Sequence, residues 1–583
     1  MKTKILLSSI AVFALIGCGN SSSSSTEKPD FTLKILHVND THSHLEPIRI
    51  KAQIDGNKTY VYAGGYAKVS QYVKDIKAKN KNTLFLHAGD AVQGTLYYTL
   101  TKGKADVEAF NKMSLDAMTP GNHAWDNGAS NFYENFASLA NFPILSANID
   151  VSKDENLSTL MKKYVIKDFN GEKVAIVGET VDASVISSPG PTIKFLNYIT
   201  AAENTVKELE NQGINKIIFL THIGYNNDQF LASQVKGIDV IVGGHSHTFL
   251  GNFDNLGLTT KGKYPTKVGD TLVVTAWKWA QVVGNLDVTF DKNGKIIKYS
   301  GTPVMLVDDK FLRKNAEGKK VEVNETVKKQ IENWISKQNN IKIESQDPDV
   351  VAVINQYKPK VDELKHKVIG EANETLIHVR LPGKVDEDTG EKLDHGSMIA
   401  PIVAKAMYER AMKNGGCDFS LQNAGGVRIT IPKGDITVGE VYQLLPFGNT
   451  LVTLDLNGST IKTMIENAVD RSLIKEENTG AFPYLGNAKI TIDKNKPLGQ
   501  RIVSFKIKDK ENGKWVDLDL NKTYKIATNS YVANGGDYYN ELKNYATNKY
   551  DTGFVDSDTF MNYVKEKKII SPLPEDEIPV TVK

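Results

Sequence analysis

Eight of the chain's eleven histidines fall in or beside five short motifs of its first half. The motifs are Asn39-Asp40-Thr41-His42-Ser43-His44, Gly89-Asp90, Gly121-Asn122-His123-Ala124-Trp125-Asp126, Thr221-His222 and Gly243-Gly244-His245-Ser246-His247. A single histidine is most often a satisfied core or surface group, but a set this dense, interleaved with carboxylates and an amide, reads as a ligand set. Its donors are oxygen and imidazole nitrogen with no thiolate, which suits two divalent ions such as Zn or Mn and not a structural cysteine site. A lone carboxylate bridging two ions about 3.5 to 4 Å apart clamps the attacking and leaving oxygens of an in-line displacement, and Asp90 is the natural bridge. Water held between such ions loses a proton near neutral pH, so the implied reaction is hydrolysis of a phosphate ester. His37 and His87 lie inside apolar runs and read as hydrogen-bonded core residues, and His44 as a support for the ligands.

The motifs can meet only if regular elements bring them together. Aliphatic runs at Leu33 to Val38, Thr83 to Leu86, Val174 to Val177, Lys216 to Leu220, Val240 to Val242 and Thr271 to Thr275 have the β pattern. Helical patterns intervene at Tyr66 to Lys77 and Thr200 to Gln212, which makes this half a layered α/β domain. Each motif follows the end of a β-type run, where open α/β sheets collect ligands. The chain then turns polar and Lys-rich from 308 to 346, a boundary, and Asp347-Pro348 opens a connecting helix with Val350, Ile354, Tyr357, Val361 and Leu364 on one face. A second domain of mixed α and β pattern follows, with helices at Ile399 to Met412 and Ser459 to Ser472 and strands at Ile490 to Ile492 and Tyr524 to Thr528.

In this order and at these separations the five motifs resemble the calcineurin-type metallophosphoesterase domain of the 5′-nucleotidase family, and the likeness runs from about residue 33 to 570. The resemblance implies a four-layer α/β/β/α metallophosphoesterase domain (31–340), a linker helix (341–368) and an α+β substrate-binding domain (369–583). It implies that Asp40, His42 and His247 hold one ion, that Asn122, His222 and His245 hold the other, and that Asp90 holds both. It also makes His123 and Asp126 a dyad, the imidazolium stabilising charge on the phosphoryl group and leaving oxygen while Asp126 orients it. Phosphoryl transfer places negative charge where such a cation helps most.

Three stretches stand out in the second domain: Gln422-Asn423-Ala424-Gly425-Gly426-Val427-Arg428, Leu445-Pro446-Phe447-Gly448 and Tyr531-Val532-Ala533-Asn534-Gly535-Gly536-Asp537. Glycines such as Gly425 allow close backbone approach, and Arg428 beside them is one of only seven arginines, suited to a bidentate phosphate or sugar contact. Phe447 and Tyr531 could hold a planar base by stacking, or be ordinary core aromatics. The resemblance implies the first, with Asn423 and Asp537 hydrogen-bonding base and ribose and Arg428 meeting the phosphate side. Where most relatives have an arginine cluster and an Asn-led helix start, this chain reads His378-Val379-Arg380-Leu381-Pro382 and His395-Gly396-Ser397-Met398, which leaves Arg380 as a further candidate ligand. With Asn255-Leu256-Gly257 and Gly262-Lys263-Tyr264-Pro265, these stretches resemble the branch that also cleaves NAD at its pyrophosphate. With metals on one domain and base pocket on the other, closure across the linker is the expected conformational step.

Composition sets limits on what else the chain does. At 583 residues, with 40% hydrophobic and 24% charged residues, it has core enough for more than one domain. The formal charge of +2 falls to zero without Lys2 and Lys4, so no basic field remains to hold nucleic acid. Those lysines precede an apolar run, Ile5 to Ile16, ending at Leu15-Ile16-Gly17-Cys18, which resembles a bacterial lipobox. The expectation is a lipoprotein signal (1–17), a lipid anchor on Cys18, a Ser-rich tether (18–30) and an address at the cell envelope, periplasm or outer membrane. No obligatory protein partner is evident. The nucleotidase reading stands beside two others, a cyclic-nucleotide phosphodiesterase or UDP-sugar hydrolase with the same ions, and a surface lipoprotein that binds nucleotides without turnover.

Overall fold

The computed structural model describes residues 30–181, 189–316, 318–386 and 389–583. The lipobox, Cys18 and all of the tether but Asp30 lie outside them. Two sheets stack in the first domain. One carries the parallel strands Phe31–Val38, Thr83–His87 and Ala117–Met118, with Val282–Phe290 antiparallel beside the first. The other carries Glu172–Thr180, Ile217–His222, Val240–Gly243 and Thr271–Val274, all parallel in that order.

Side-chain alternation explains the layering. In Phe31–Val38 the residues Leu33 and Ile35 point into the core between the sheets, while Leu36 and Val38 point to the other face, where helix Tyr66–Lys79 packs with Tyr66, Val69 and Val73. The second sheet is buried on both faces, so Val174 to Val177 and Ile217 to Leu220 read as continuous apolar runs, covered outside by helices Tyr198–Asn211 and Tyr225–Gln234. The order is helix, sheet, sheet, helix. Truncating a fully buried member such as Ile35 to alanine costs about 2 to 5 kcal/mol.

The polar stretch after residue 308 is not a bare junction. Strand Val304–Lys314 pairs with its neighbours, helix Glu325–Ile335 buries Ile331 and Ile335, and Ile341–Ile343 runs parallel to Met305–Val307. Residues 341–343, assigned above to the linker, therefore belong to the first domain. Most of these elements bury one narrow face, which is why the segment looks polar in sequence. The connecting helix is Pro348–Lys365, capped by Asp347, whose carboxylate also accepts from Ser70 Oγ at 2.5 Å and Lys74 Nζ at 2.6 Å.

The second domain is built on a five-stranded sheet. Phe419–Asn423 is parallel to Thr523–Asn529, and Thr450–Asn457 is antiparallel to the latter. The ends of the first two strands and the start of the third thus share one edge of the domain. That edge carries the three glycine-rich stretches. Helix Ile399–Met412 packs on this sheet.

Candidate metal centre and nucleotide pocket

All five motifs emerge at carboxyl ends of the parallel strands, and the two sheets aim them at one point. The turns interlock through main chain: Asp40 N donates to Gly89 O at 3.0 Å, His42 N to Asp90 O at 3.0 Å, and His245 N to the Asp40 carboxylate at 3.0 Å. A Cβ on Gly121 would overlap the Asp90 carboxylate, so only glycine lets that turn close. Asp40, His42, Asp90, His245 and His247 all have φ between 48° and 74°. Non-glycine residues occupy this region at a cost that surrounding structure must offset, and such strain gathers at functional sites.

The seven candidate ligands form one cluster. Asp40, His42 and His247 make one group and Asp90, His222 and His245 a second, each with donor atoms within 4.8 Å of one another. Asp90 Oδ2 lies 3.0 Å from His222 Nε2 and 3.9 Å from His42 Nε2, so it faces both groups. Asn122 Oδ1 sits 2.9 Å from His245 Nδ1 and 3.3 Å from His222 Nε2. His222 Nδ1 is 2.8 Å from the Ala88 carbonyl, a bond that makes Nδ1 the donor and turns the other ring nitrogen into the cluster, as ligating imidazoles require. His42 and His247 bring their Nε2 atoms to 2.9 Å of each other.

The electrostatics suit divalent cations. Burial alone would raise the Asp40 carboxyl, but His247 and His222 overcome it and bring it down to about 2. Asp90 is likewise held well below the carboxylate range by His222 and His123 against the effect of burial. Burial holds His42 well below its ordinary value and His245 at about 4, so both imidazoles are neutral and offer lone pairs. His222 differs: burial opposes its charge, but Asp90 and Asp40 push it up to about 9, so without metal it carries a proton that a bound cation would displace. Two ionised carboxylates, the neutral imidazoles of His42 and His245 and an amide oxygen fit two divalent ions.

His123 joins His42 and Asp90 in a third group with donor atoms within 4.8 Å of one another, but its ring is held differently from those of the seven candidate ligands. Its Nδ1 pairs with Asp126 Oδ2 at 2.7 Å and its Nε2 faces Asp90 Oδ2 at 4.0 Å. Burial opposes its charge, but Asp126 and Asp90 prevail and push it up to about 10, so it carries a proton at neutral pH. His37 and His87 are buried and bonded to Tyr264 and Thr41, as expected of core histidines, and His44 bonds the Thr41 and His42 carbonyls and stacks on Trp279.

Arg380, Asn423, Gly425, Arg428, Phe447, Tyr531 and Asp537 all line one cavity of about 390 Å³. Phe447 and Tyr531 line it and are 36% and 48% exposed overall, which makes them contact surface and not core. Asp537 gathers the polar groups, accepting from Asn423 Nδ2 at 2.7 Å, Asn478 Nδ2 at 3.0 Å and Tyr531 OH at 3.1 Å. Arg428 donates to the Gly425 carbonyl and lies 5.6 Å over the Phe447 ring. A second cavity of about 710 Å³ is lined by five of the candidate metal ligands, His42, Asp90, Asn122, His245 and His247, on one side and by Asn449, Thr450, Tyr531 and Asp551 of the second domain on the other. Lys278, Asn449 and Tyr531 line both cavities.

Comparisons with known proteins supply the family and its two-domain organisation. Residues 33–249 match the calcineurin-like phosphoesterase family and 368–544 the 5′-nucleotidase C-terminal domain. A probable 5′-nucleotidase of Treponema pallidum is 34% identical over 95% of this chain and 95% of its own. The chain belongs to the 5′-nucleotidase family. It is a metal-dependent phosphoester hydrolase with the two-domain fold of its relatives. The NAD 5′-nucleotidase of Haemophilus influenzae is 35% identical over 92% of this chain and 90% of its own. The solved structure of the NAD nucleotidase from that organism superposes with a TM-score of 0.78 at 32% identity, covering 95% of this chain and 100% of that one.

Lys278, Asn449 and Asn478 escaped the sequence reading. Lys278 had a signal, since it stands between Trp277 and Trp279, two of the chain's five tryptophans. Asn449 follows the Pro-Phe-Gly stretch directly, but Asn478 sits in a polar run with nothing to mark it.

Proposed function

We propose that this protein is a dinuclear-metal 5′-nucleotidase that releases nucleoside and phosphate from nucleoside 5′-monophosphates and also splits NAD at its pyrophosphate, serving nucleotide salvage. The observation that carries the reading is the seam itself: the cavity at the ligand cluster and the base-sized cavity share three lining residues, so a phosphate in one can belong to a base in the other. The likeness to a probable 5′-nucleotidase of Treponema pallidum supports the first half and that to the NAD 5′-nucleotidase of Haemophilus influenzae the second.

In this reading Asp40, His42 and His247 hold one ion, Asn122, His222 and His245 the other, and Asp90 joins them, with Zn or Mn the metals that the donors suit. Bound divalent ions supply Lewis acidity and an activated water. His123, oriented by Asp126, neutralises charge on the phosphoryl and leaving oxygens and holds the proton that the leaving oxygen needs. Phe447 and Tyr531 hold the base, Asn423 and Asp537 the base and ribose, and Arg428 with Arg380 faces the phosphate side. Export and lipid attachment at Cys18 belong to the same reading, and palmitate incorporation lost in Cys18→Ala tests them.

The activity is tested by product chromatography with AMP, NAD, UDP-glucose and cyclic AMP. Adenosine and phosphate from AMP, with nicotinamide mononucleotide from NAD, is the expected result. Turnover of the cyclic ester or the sugar nucleotide alone overturns it in favour of those activities, and binding without products in favour of a non-catalytic lipoprotein.

A further inference from the structure

The base-sized cavity carries more positive charge than a nucleoside needs. Lys278, Arg380 and Arg428 line it against a single carboxylate, Asp537, a formal excess of two positive charges. Asp537 is already engaged by Asn423, Asn478 and Tyr531. Among the described residues none of the three cations makes an ion pair with an acid: Arg428 donates to Gly425 O, Arg380 to Thr479 Oγ1 at 3.2 Å, and the Lys278 ammonium lies 3.8 Å over the Trp279 ring, with Asp40 and Asp556 acting on it from beyond ion-pair distance. Burial and the neighbouring Arg380 both lower the Arg428 pKa, the mark of like charges held close without a counterion.

Lys278 is placed where this charge meets the reaction. Among the described lining residues it is the only lysine or arginine of the metal cavity, and the only first-domain residue of the base cavity. Its turn is built onto the ligand turn: Trp279 N donates to Asp40 O at 2.7 Å, and Asn39 Nδ2 donates to Trp277 O at 2.7 Å. Trp277, Trp279 and Ala280 have φ of 61°, 59° and 55°, so three non-glycine residues accept left-handed backbone to hold the lysine there. A nucleoside monophosphate brings one phosphate, which belongs at the ligand cluster. Arg428 and Arg380 face the sugar side of that phosphate, and Lys278 is left unmatched.

We propose that Lys278 is the specificity residue for a second phosphate, pairing with the phosphate that lies between the sugar and the reacting phosphorus, and so directs the site to nucleoside diphosphates and pyrophosphate-linked dinucleotides. The inference rests on the nucleotidase reading above and names its substrate class. In the step, a water oxygen bonds to the phosphorus facing His123 and the P–O bond to the bridging oxygen breaks. The bonding pair leaves on the phosphate beside Lys278. Water plus anhydride gives two phosphate groups, each with one hydrogen from the water, which ionise at neutral pH. An ammonium at the departing phosphate lowers the barrier to its leaving as well as holding it in the ground state.

The test uses the full chain with Lys278→Met, which keeps the stem without the charge, and Lys278→Arg, which restores charge. For Lys278→Met the ratio of kcat/KM for ADP or NAD to that for AMP should fall about tenfold to hundredfold, the loss expected for a charge-assisted hydrogen bond, and recover in Lys278→Arg. Titration of chelator-stripped protein with ADP and AMP gives a readout free of turnover, in which the Met variant should lose the preference for ADP. Should the Met variant fail to fold, Lys278→Gln is read in the same way. Equal losses on AMP and ADP, or no change in either ratio, overturn the proposal. Wild-type protein that turns over none of these nucleotides ends the nucleotidase reading instead, and the ADP-to-AMP binding ratio still decides Lys278.

Discussion

His123 Nδ1 lies 2.7 Å from Asp126 Oδ2, three residues along the same turn, and the ring's other nitrogen faces the Asp90 carboxylate at 4.0 Å. Neither residue belongs to the seven ligands. His123→Ala should therefore retain both ions while kcat falls by about two to four orders of magnitude, the range for losing a general acid. Metal analysis of the purified variant beside its turnover checks this, and metal loss with residual activity would reassign the residue.

His247 sits at the edge of the first ligand group, with its Nε2 3.4 Å from Asp40 Oδ1. His247→Ala should lower the metal content from about two ions per chain towards about one, since the second group keeps His222, His245, Asn122 and Asp90. Quantitative metal analysis after dialysis against trace chelator reads the result.

Phe447 and Tyr531 offer half-exposed rings to the base cavity. Replacing either with alanine should raise KM for AMP by about tenfold or more, because stacking a base on an aromatic ring is worth about 1 to 3 kcal/mol. Tyr531→Phe keeps the ring but loses the hydroxyl contact to Asp537, so its KM should lie between wild type and Tyr531→Ala. Steady-state kinetics on the three variants orders them.

Asp106 is buried beneath the first ligand turn, and burial pushes its carboxyl up to about 7 although Tyr66 and Ser43 donate to it. The folded state then holds a proton that the unfolded chain has released, so stability falls as pH rises from the ordinary carboxylate range through about 7. Asp106→Asn removes this dependence. The difference in Tm between variant and wild type should grow in the variant's favour from pH 4 to pH 8, and a difference that stays flat would mean Asp106 ionises freely.

The sequence carried the metal centre unusually far because its signals are local. Strand runs such as Leu33 to Val38 show the nearly continuous apolar pattern that a sheet covered on both faces demands, and four of the five ligand motifs follow such a run; the fifth, Gly121 to Asp126, follows the two-residue strand Ala117–Met118, too short to show in sequence. Their convergence follows from parallel pairing, which puts every carboxyl end on one side. The base pocket was legible for the same reason, three glycine-rich turns at one edge of a sheet. Lys278 and Asn449 were not legible, because what makes them matter is the packing of two domains across a seam, and no periodicity records that. Ile341–Ile343 was missed because a three-residue strand earns its place through a partner at Met305–Val307 more than thirty residues away.

The account stands on one dinuclear centre made by seven side chains. Anomalous diffraction from crystals of the reconstituted protein, at the absorption edge of the added metal, locates the ions directly. The account predicts two peaks about 3.5 to 4 Å apart, with Asp90 between them and Asp40, His42 and His247 on one side, Asn122, His222 and His245 on the other. A protein with no ion at these residues that still hydrolyses AMP at full rate would contradict it.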